Sequence, residues 1–184
     1  MSDLIQFTVL GRPQQRGSKT PWLPRRADGS LVVKNGRPVI ATMDSNKRSK
    51  AWMDCVRSAA AEAFGQRELL RGPIELTVVF YFSRPRSHFG TGRRACVLKD
   101  SAPHCHAQSP DLSKLMRALE DGITGAIWHD DRQVCRYGYC RREWTLEQQR
   151  AEVSVRELRP IAELFSASAT WRGDARGKPF PFVS

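Results

Sequence analysis

The spacing of apolar residues changes period several times along the chain, and each change predicts an element. Leu4–Leu10 alternates, with Ile5, Phe7 and Val9 on one side and Gln6 and Thr8 on the other, as a half-buried strand does. Gly11–Arg26 (GRPQQRGSKTPWLPRR) reads as a basic loop broken by Gly and Pro. Asn35-Gly36, between Leu31–Val33 and Pro38–Ala41, predicts a small hairpin, because Asn-Gly supplies the positive φ angles of a tight turn. Asp44 and Ser45 are cap candidates for a long helix. In it Ala51, Trp52, Cys55, Val56, Ala59, Ala60, Ala63 and Phe64 recur at helical spacing before a Gly65 stop. Ile74–Phe82 is the strongest strand, with Ile74, Leu76, Val78, Phe80 and Phe82 on one face. Ser83–Ser109 has no period and is read as a long functional loop. Leu112, Leu115, Met116, Leu119 and Ile123 mark a second helix with Asp111 at its N-cap. Gln133–Tyr139 and Glu152–Leu158 read as strands joined around Trp144, and a short helix and Gly/Pro tail follow Pro160. The order predicts an α+β fold, a small mixed β-sheet packed with two main helices, rather than regular βαβ units. Residues 1–158 form the expected domain and 159–184 a tail.

Composition narrows the class. Apolar residues make up 40% of the 184 and charged ones 27%, which excludes wholesale disorder. No apolar run approaches the ~20 residues that span a bilayer, and the opening MSDLIQFTVLGRP has no basic segment before its apolar run. A cytoplasmic protein without a membrane partner is expected. The five cysteines, Cys55, Cys96, Cys105, Cys135 and Cys140, are read as reduced thiols. Net charge is +11, and nearly all of the excess falls before residue 111. A basic surface of this size usually faces a polyanion, nucleic acid above all; the plainer reading is a solubilising surface.

Against this background, five carboxylates fall in one short stretch: Asp111, Glu120, Asp121, Asp130 and Asp131. A helix of about twelve residues is ~18 Å long, and the eight residues Thr124–Asp131 span at most ~29 Å. The chain can therefore double back and set Asp131 beside Asp111. Carboxylates converging from a helix start and a returning strand suit Mg²⁺, and in a basic protein they suggest metal-assisted chemistry on phosphate. The same residues admit simpler roles, Asp111 as a helix cap and Asp130-Asp131 as a polar turn.

The stretch Ser109–Val134, SPDLSKLMRALEDGITGAIWHDDRQV, resembles the signature of the RusA family of endodeoxyribonucleases, the Holliday junction resolvases. Pro110-Asp111, Leu115, Ala118, Asp121, Trp128, Asp130-Asp131 and Gln133-Val134 match its pattern in order. Gly11-Arg12-Pro13 after the first strand and Tyr81-Phe82-Ser83-Arg84-Pro85 at the end of the strongest one also fit. The resemblance implies a homodimer that binds four-way DNA junctions and cuts two opposed strands with Mg²⁺ or Mn²⁺. It places metal-binding acids at Asp111 and Asp131, a further acid at position 113 and a catalytic lysine at position 117. This chain has Ser113 and Arg117 there. Serine is a poorer ligand, so Asp130, Asp121 or a water would have to substitute. Arg117 keeps the charge that steadies the phosphate but does not donate a proton near neutral pH. A junction-binding protein with weakened or lost cleavage is therefore the alternative.

The expected DNA contacts are Arg12, Arg16, Lys19, Arg84, Arg86, Arg93, Arg94 and Lys114, with Arg25 and Arg26 beside them. Phe89 reads either as a wedge into unstacked DNA or as an apolar anchor for its loop. His129 reads as an exposed turn residue more readily than as a ligand. His104, Cys105 and His106, with Cys96, Cys135 and Cys140, follow no familiar zinc spacing.

Overall fold

In the computed structural model, which describes residues 4–158, the alternating segments become a four-stranded sheet. Its strands are β1 (Leu4–Leu10), β6 (Ile74–Ser83), β7 (Val134–Thr145) and β8 (Arg150–Glu157), in the order β1-β8-β6-β7. β1 and β6 each pair antiparallel with β8, whereas β7 runs parallel to β6. The sheet is mixed because α2 (Leu112–Ile123) lies on the crossover from β6 to β7, the long connection that a parallel pair requires.

Register explains the core. Ile5, Val155 and Leu76 form one cross-strand row; Phe7, Val153 and Val78 form the next, and Val9, Ala151 and Phe80 a third. Against these rows pack Trp52, Val56, Ala60 and Phe64 of α1 (Ser49–Phe64) and Leu115, Met116, Leu119 and Ile123 of α2. Each large apolar side chain buried here contributes roughly 1.5–3 kcal/mol. The opposite sheet face carries Gln6, Thr8, Thr77, Glu152 and Ser154.

The helices touch closely at Gly122. A Cβ there would lie 2.8 Å from both Cβ and Cγ1 of Val56 and 3.1 Å from the Met53 carbonyl oxygen. Gly122→Ala should therefore destabilise by about 1–3 kcal/mol through overpacking, although alanine gains ~1 kcal/mol in helix propensity. A thermal melt checks this, and an unchanged or raised midpoint would contradict the close contact.

Several expected boundaries shift. Part of the 11–26 loop is a strand, β2 (Lys19–Trp22), paired antiparallel with β5 (Ala41–Asp44). β3 (Val33–Lys34) and β4 (Arg37–Pro38) lie between them, with Asn35 and Gly36 at φ 51° and 73°. The expected hairpin is thus shorter than predicted, and it belongs to a longer arm whose β2 is exposed at every residue. Asp44 and Ser45 do not cap α1, which follows Arg48 without a side-chain cap bond. Asp44 Oδ1 instead accepts from the N–H groups of Gly17 and Asn46, at 2.9 and 2.8 Å. β7 extends six residues past its predicted end, to Thr145. It is an edge strand with little burial, so its sequence does not alternate.

The 83–109 segment is tied down rather than structureless. It holds two 3-10 turns, Arg86–His88 and Gly92–Arg94, and a bridge between Phe89 and Leu98. Trp144 anchors it: the rings of His88 and His106 lie 4.9 and 4.3 Å from the Trp144 ring, and its indole N–H donates to the Cys105 carbonyl at 3.2 Å. The predicted helix and tail after Pro160 lie outside the described residues.

Candidate active site

α2 presents Lys114, Arg117 and Asp121 on one face, three and seven positions apart. These side chains line a cleft of about 770 Å³ together with Asp131, Arg16, Gly17, Ser18, Lys19, Thr42 and Asp44. The helix supplies one wall, the turn before β7 supplies Asp131, and the β2–β5 arm supplies the other wall. In the β2–β5 register Lys19 stands opposite Asp44, and Pro21 opposite Thr42, which puts Lys19, Thr42 and Asp44 on the arm face toward the cleft.

The Trp-x-Asp-Asp-x-Gln-Val run divides its labour. Trp128 is fully buried, and its indole N–H donates to Thr124 Oγ1 at 3.1 Å. Gln133 Oε1 accepts from the N–H groups of His129 and Asp130, while its amide nitrogen donates to the carbonyls of Leu70 and Gly72. Asp130 caps the 3-10 turn Asp131–Gln133 in a reciprocal box with Gln133. Both Asp130 oxygens are held by the Arg132 guanidinium, at 2.9 and 2.8 Å, which keeps this carboxyl well below the usual carboxylate range. Asp130, expected among the metal ligands, caps this turn and is not among the residues that line the cleft. The run leaves Asp131 facing the cleft.

Asp131 acts electrostatically on the end of α2. Burial pushes the Glu120 carboxyl up, the negative charges of Asp131 and Asp121 push it further, and the Tyr137 hydroxyl, donating to Glu120 at 2.5 Å, opposes them. Asp121 is balanced by Arg16, whose Nε lies 2.7 Å from Oδ2, although the N–H is not aligned on that oxygen. The Arg16 Nη1 also lies 3.4 Å from Asp44 Oδ2. Arg16 therefore bridges helix and arm.

Asp111 occupies the N-cap of α2, but its side chain makes no cap bond. The carboxylate is 63% exposed and pairs with Lys114 Nζ at 3.4 Å. Lys114 lines the cleft; Asp111 stands beside it at the helix start. Among the described residues, no three His, Cys, Asp or Glu side chains converge in a metal-holding group. The loss of an acid at Ser113 is consistent with this. Asp131 lines the cleft, and Asp111 is not among its lining residues; Mg²⁺ seldom uses an all-protein cage and commonly takes one or two carboxylates with phosphate oxygens and water.

The remaining predicted contacts disperse. Arg12 lies beside His106 and Trp144. Arg84 donates to the Pro103 carbonyl at 3.0 Å and sits 5.8 Å from the Trp144 ring. Arg86 borders a cavity of about 330 Å³ with Phe89 and Lys99, and Arg93 and Arg94 are exposed. Phe89 is half-buried and bridged to Leu98, the anchor role. All five cysteines are free thiols. Asp44 is marked in the sequence only as a helix-cap candidate, because its partners come from a segment read as loop.

A cleft that pairs carboxylates with guanidinium and ammonium groups, on an α+β scaffold with a basic surface, is equipped to handle phosphodiesters. Residues 28–156 match the family described as Endodeoxyribonuclease RusA, and the chain belongs to that family. The matched stretch carries both helices and β6, β7 and β8; β1, β2, Arg12, Arg16 and Lys19 precede it. No curated protein matches the chain. No helix among the described residues is long and apolar enough to cross a membrane.

Proposed function

We propose that the protein is a structure-selective endodeoxyribonuclease that resolves four-way DNA junctions as a homodimer, using Mg²⁺ or Mn²⁺ held by Asp111 and Asp131. The observation that carries this reading is the shared lining of one cleft by Lys114, Arg117, Asp121 and Asp131, in a chain of an endodeoxyribonuclease family. A bound divalent cation supplies Lewis-acid polarisation of the scissile phosphate and a more acidic water. The chain's own groups do the rest. Lys114 and Arg16 draw the phosphate backbone into the cleft. Arg117, always charged, faces the negative charge that develops on the phosphoryl oxygens. Lys19 on the arm offers a second phosphate contact across the cleft. Two-fold symmetry in a dimer would match that of the junction. Residues 1–158 constitute the nuclease unit in this reading.

A substrate panel tests it. Radiolabelled four-way junctions should be nicked much faster than linear duplex or single strands of the same sequence. Equal rates on all three would remove the structure selectivity.

Ser113 favours the second reading, a branched-DNA-binding protein with weakened cutting. Ser113→Asp separates the two. Restoring the acid should lower the half-saturating Mg²⁺ concentration roughly tenfold, because hard-cation affinity follows ligand charge. No change would mean that another group already fills that role.

A further inference from the structure

The peptide between Pro110 and Asp111 is held on both of its polar atoms by side chains remote in sequence. Gln15 Oε1 accepts from the Asp111 N–H at 2.8 Å. Arg142 Nη1 donates to the Pro110 carbonyl at 2.5 Å and to the Gln108 carbonyl at 2.7 Å. Local sequence explains why outside help is needed. In a capping box, the third helical residue reaches back with a Glu or Gln oxygen to the N–H of the cap residue. Here that residue is Lys114, which has no acceptor. Gln15 provides the missing acceptor from 96 positions away.

Gln15 is itself fixed. Its carbonyl accepts from Asn46 Nδ2 at 2.7 Å, and the next residue, Arg16, donates its backbone N–H to the Lys114 carbonyl at 3.0 Å. The segment thus runs along the first turn of α2 and is stitched to the base of the arm. The Asp111 side chain makes no cap bond; its largely exposed carboxylate pairs with Lys114 Nζ at 3.4 Å, an exposed ion pair that a divalent cation can displace.

We propose that Gln15 and Arg142 are positioning residues for Asp111: they clamp the Pro110–Asp111 peptide plane and thereby set the direction from which the Asp111 carboxylate meets a divalent cation. The inference rests on Asp111 being a metal ligand. Gln15 precedes the stretch that matches the family, so the clamp joins a matched residue to an unmatched one. A fixed peptide plane lowers the entropy lost when the carboxylate is ordered, much as outer partners do for other metal ligands.

The test is Mn²⁺ titrated into the full-length protein, with free Mn²⁺ followed by electron paramagnetic resonance and folding checked by thermal melting. Gln15→Leu, which removes the acceptor, should weaken Mn²⁺ binding about tenfold, the low end for loss of an outer partner. Gln15→Glu keeps an acceptor and adds a negative charge, so it should bind at least as tightly as wild type. In an Asp111→Asn background, Gln15→Leu should have no further effect. Wild-type affinity for Gln15→Leu would overturn the clamp, as would an equal loss in the Asp111→Asn background. If Asp111→Asn itself binds Mn²⁺ like wild type, the ligand assignment fails and the clamp falls with it. If Asp111→Asn weakens binding and Gln15→Leu does not, the clamp alone fails. Should Gln15→Leu not fold, the carbonyl side carries the comparison: Arg142→Lys should bind like wild type and Arg142→Met more weakly. Equal affinity of those two would overturn it.

Discussion

Asp111→Asn and Asp131→Asn are each expected to slow nicking of a four-way junction by about a thousandfold or more. The magnitude follows from the several kcal/mol that a bound cation contributes to stabilising charge in the transition state, at about 1.4 kcal/mol per tenfold. Junction binding should persist or tighten, because each substitution removes a negative charge from a surface that must approach phosphate. Stability should change little: Asp131 is exposed, and the Asp111 carboxylate makes an exposed ion pair with Lys114 but no cap bond. Gel shift and single-turnover cutting on the same preparations separate the two effects. Full cutting by both variants would remove these carboxylates from the reaction. Loss of binding together with cutting would point to misfolding instead.

The largest effect on stability is expected at Trp128. It is fully buried, and its backbone carbonyl accepts from the Gly125 N–H at 2.7 Å. Trp128→Ala should destabilise by about 3–5 kcal/mol, combining lost apolar transfer with a cavity that its neighbours cannot fill. Against a total of about 5–15 kcal/mol, that leaves a marginal fold. Activity should fall too, since Trp128 anchors the turn that carries Asp131. Urea unfolding measures the change. A loss below about 0.5 kcal/mol, the scale of an ordinary surface substitution, would show that Trp128 is not the anchor.

Three elements of the core were legible because their periodicities are unambiguous. β1, β6 and α2 sit where alternation and helical spacing place them, and the predicted face of β6 is buried; of the stripe predicted for α1, Trp52, Val56, Ala60 and Phe64 are buried, whereas Ala51, Cys55 and Ala63 are exposed. The arm was not legible. β2 and β5 bury almost nothing, so no alternation marks them, and their pairing depends on tertiary bonds such as Gly17 N–H to Asp44. The site was readable to the same degree. Asp131 carries the motif and Arg117 departs from it, yet both line the cleft. Asp130 and Gln133 carry the same motif but serve the backbone, a division that spacing alone does not reveal. Arg16 was singled out as a phosphate contact, yet its link to Asp121 and Asp44 needed the fold, as did the hold of Gln15 on Asp111.

The central claim is that these carboxylates and cations form a junction-cutting centre acting in pairs. A supercoiled plasmid with an extruded cruciform, incubated with the wild-type protein and Mg²⁺ or Mn²⁺, tests it most directly. Two coordinated nicks across the junction convert the circle straight to linear DNA, and that product is predicted to require the divalent ion. Stable binding of the cruciform without any cut strand, at every concentration of either ion, would contradict the account.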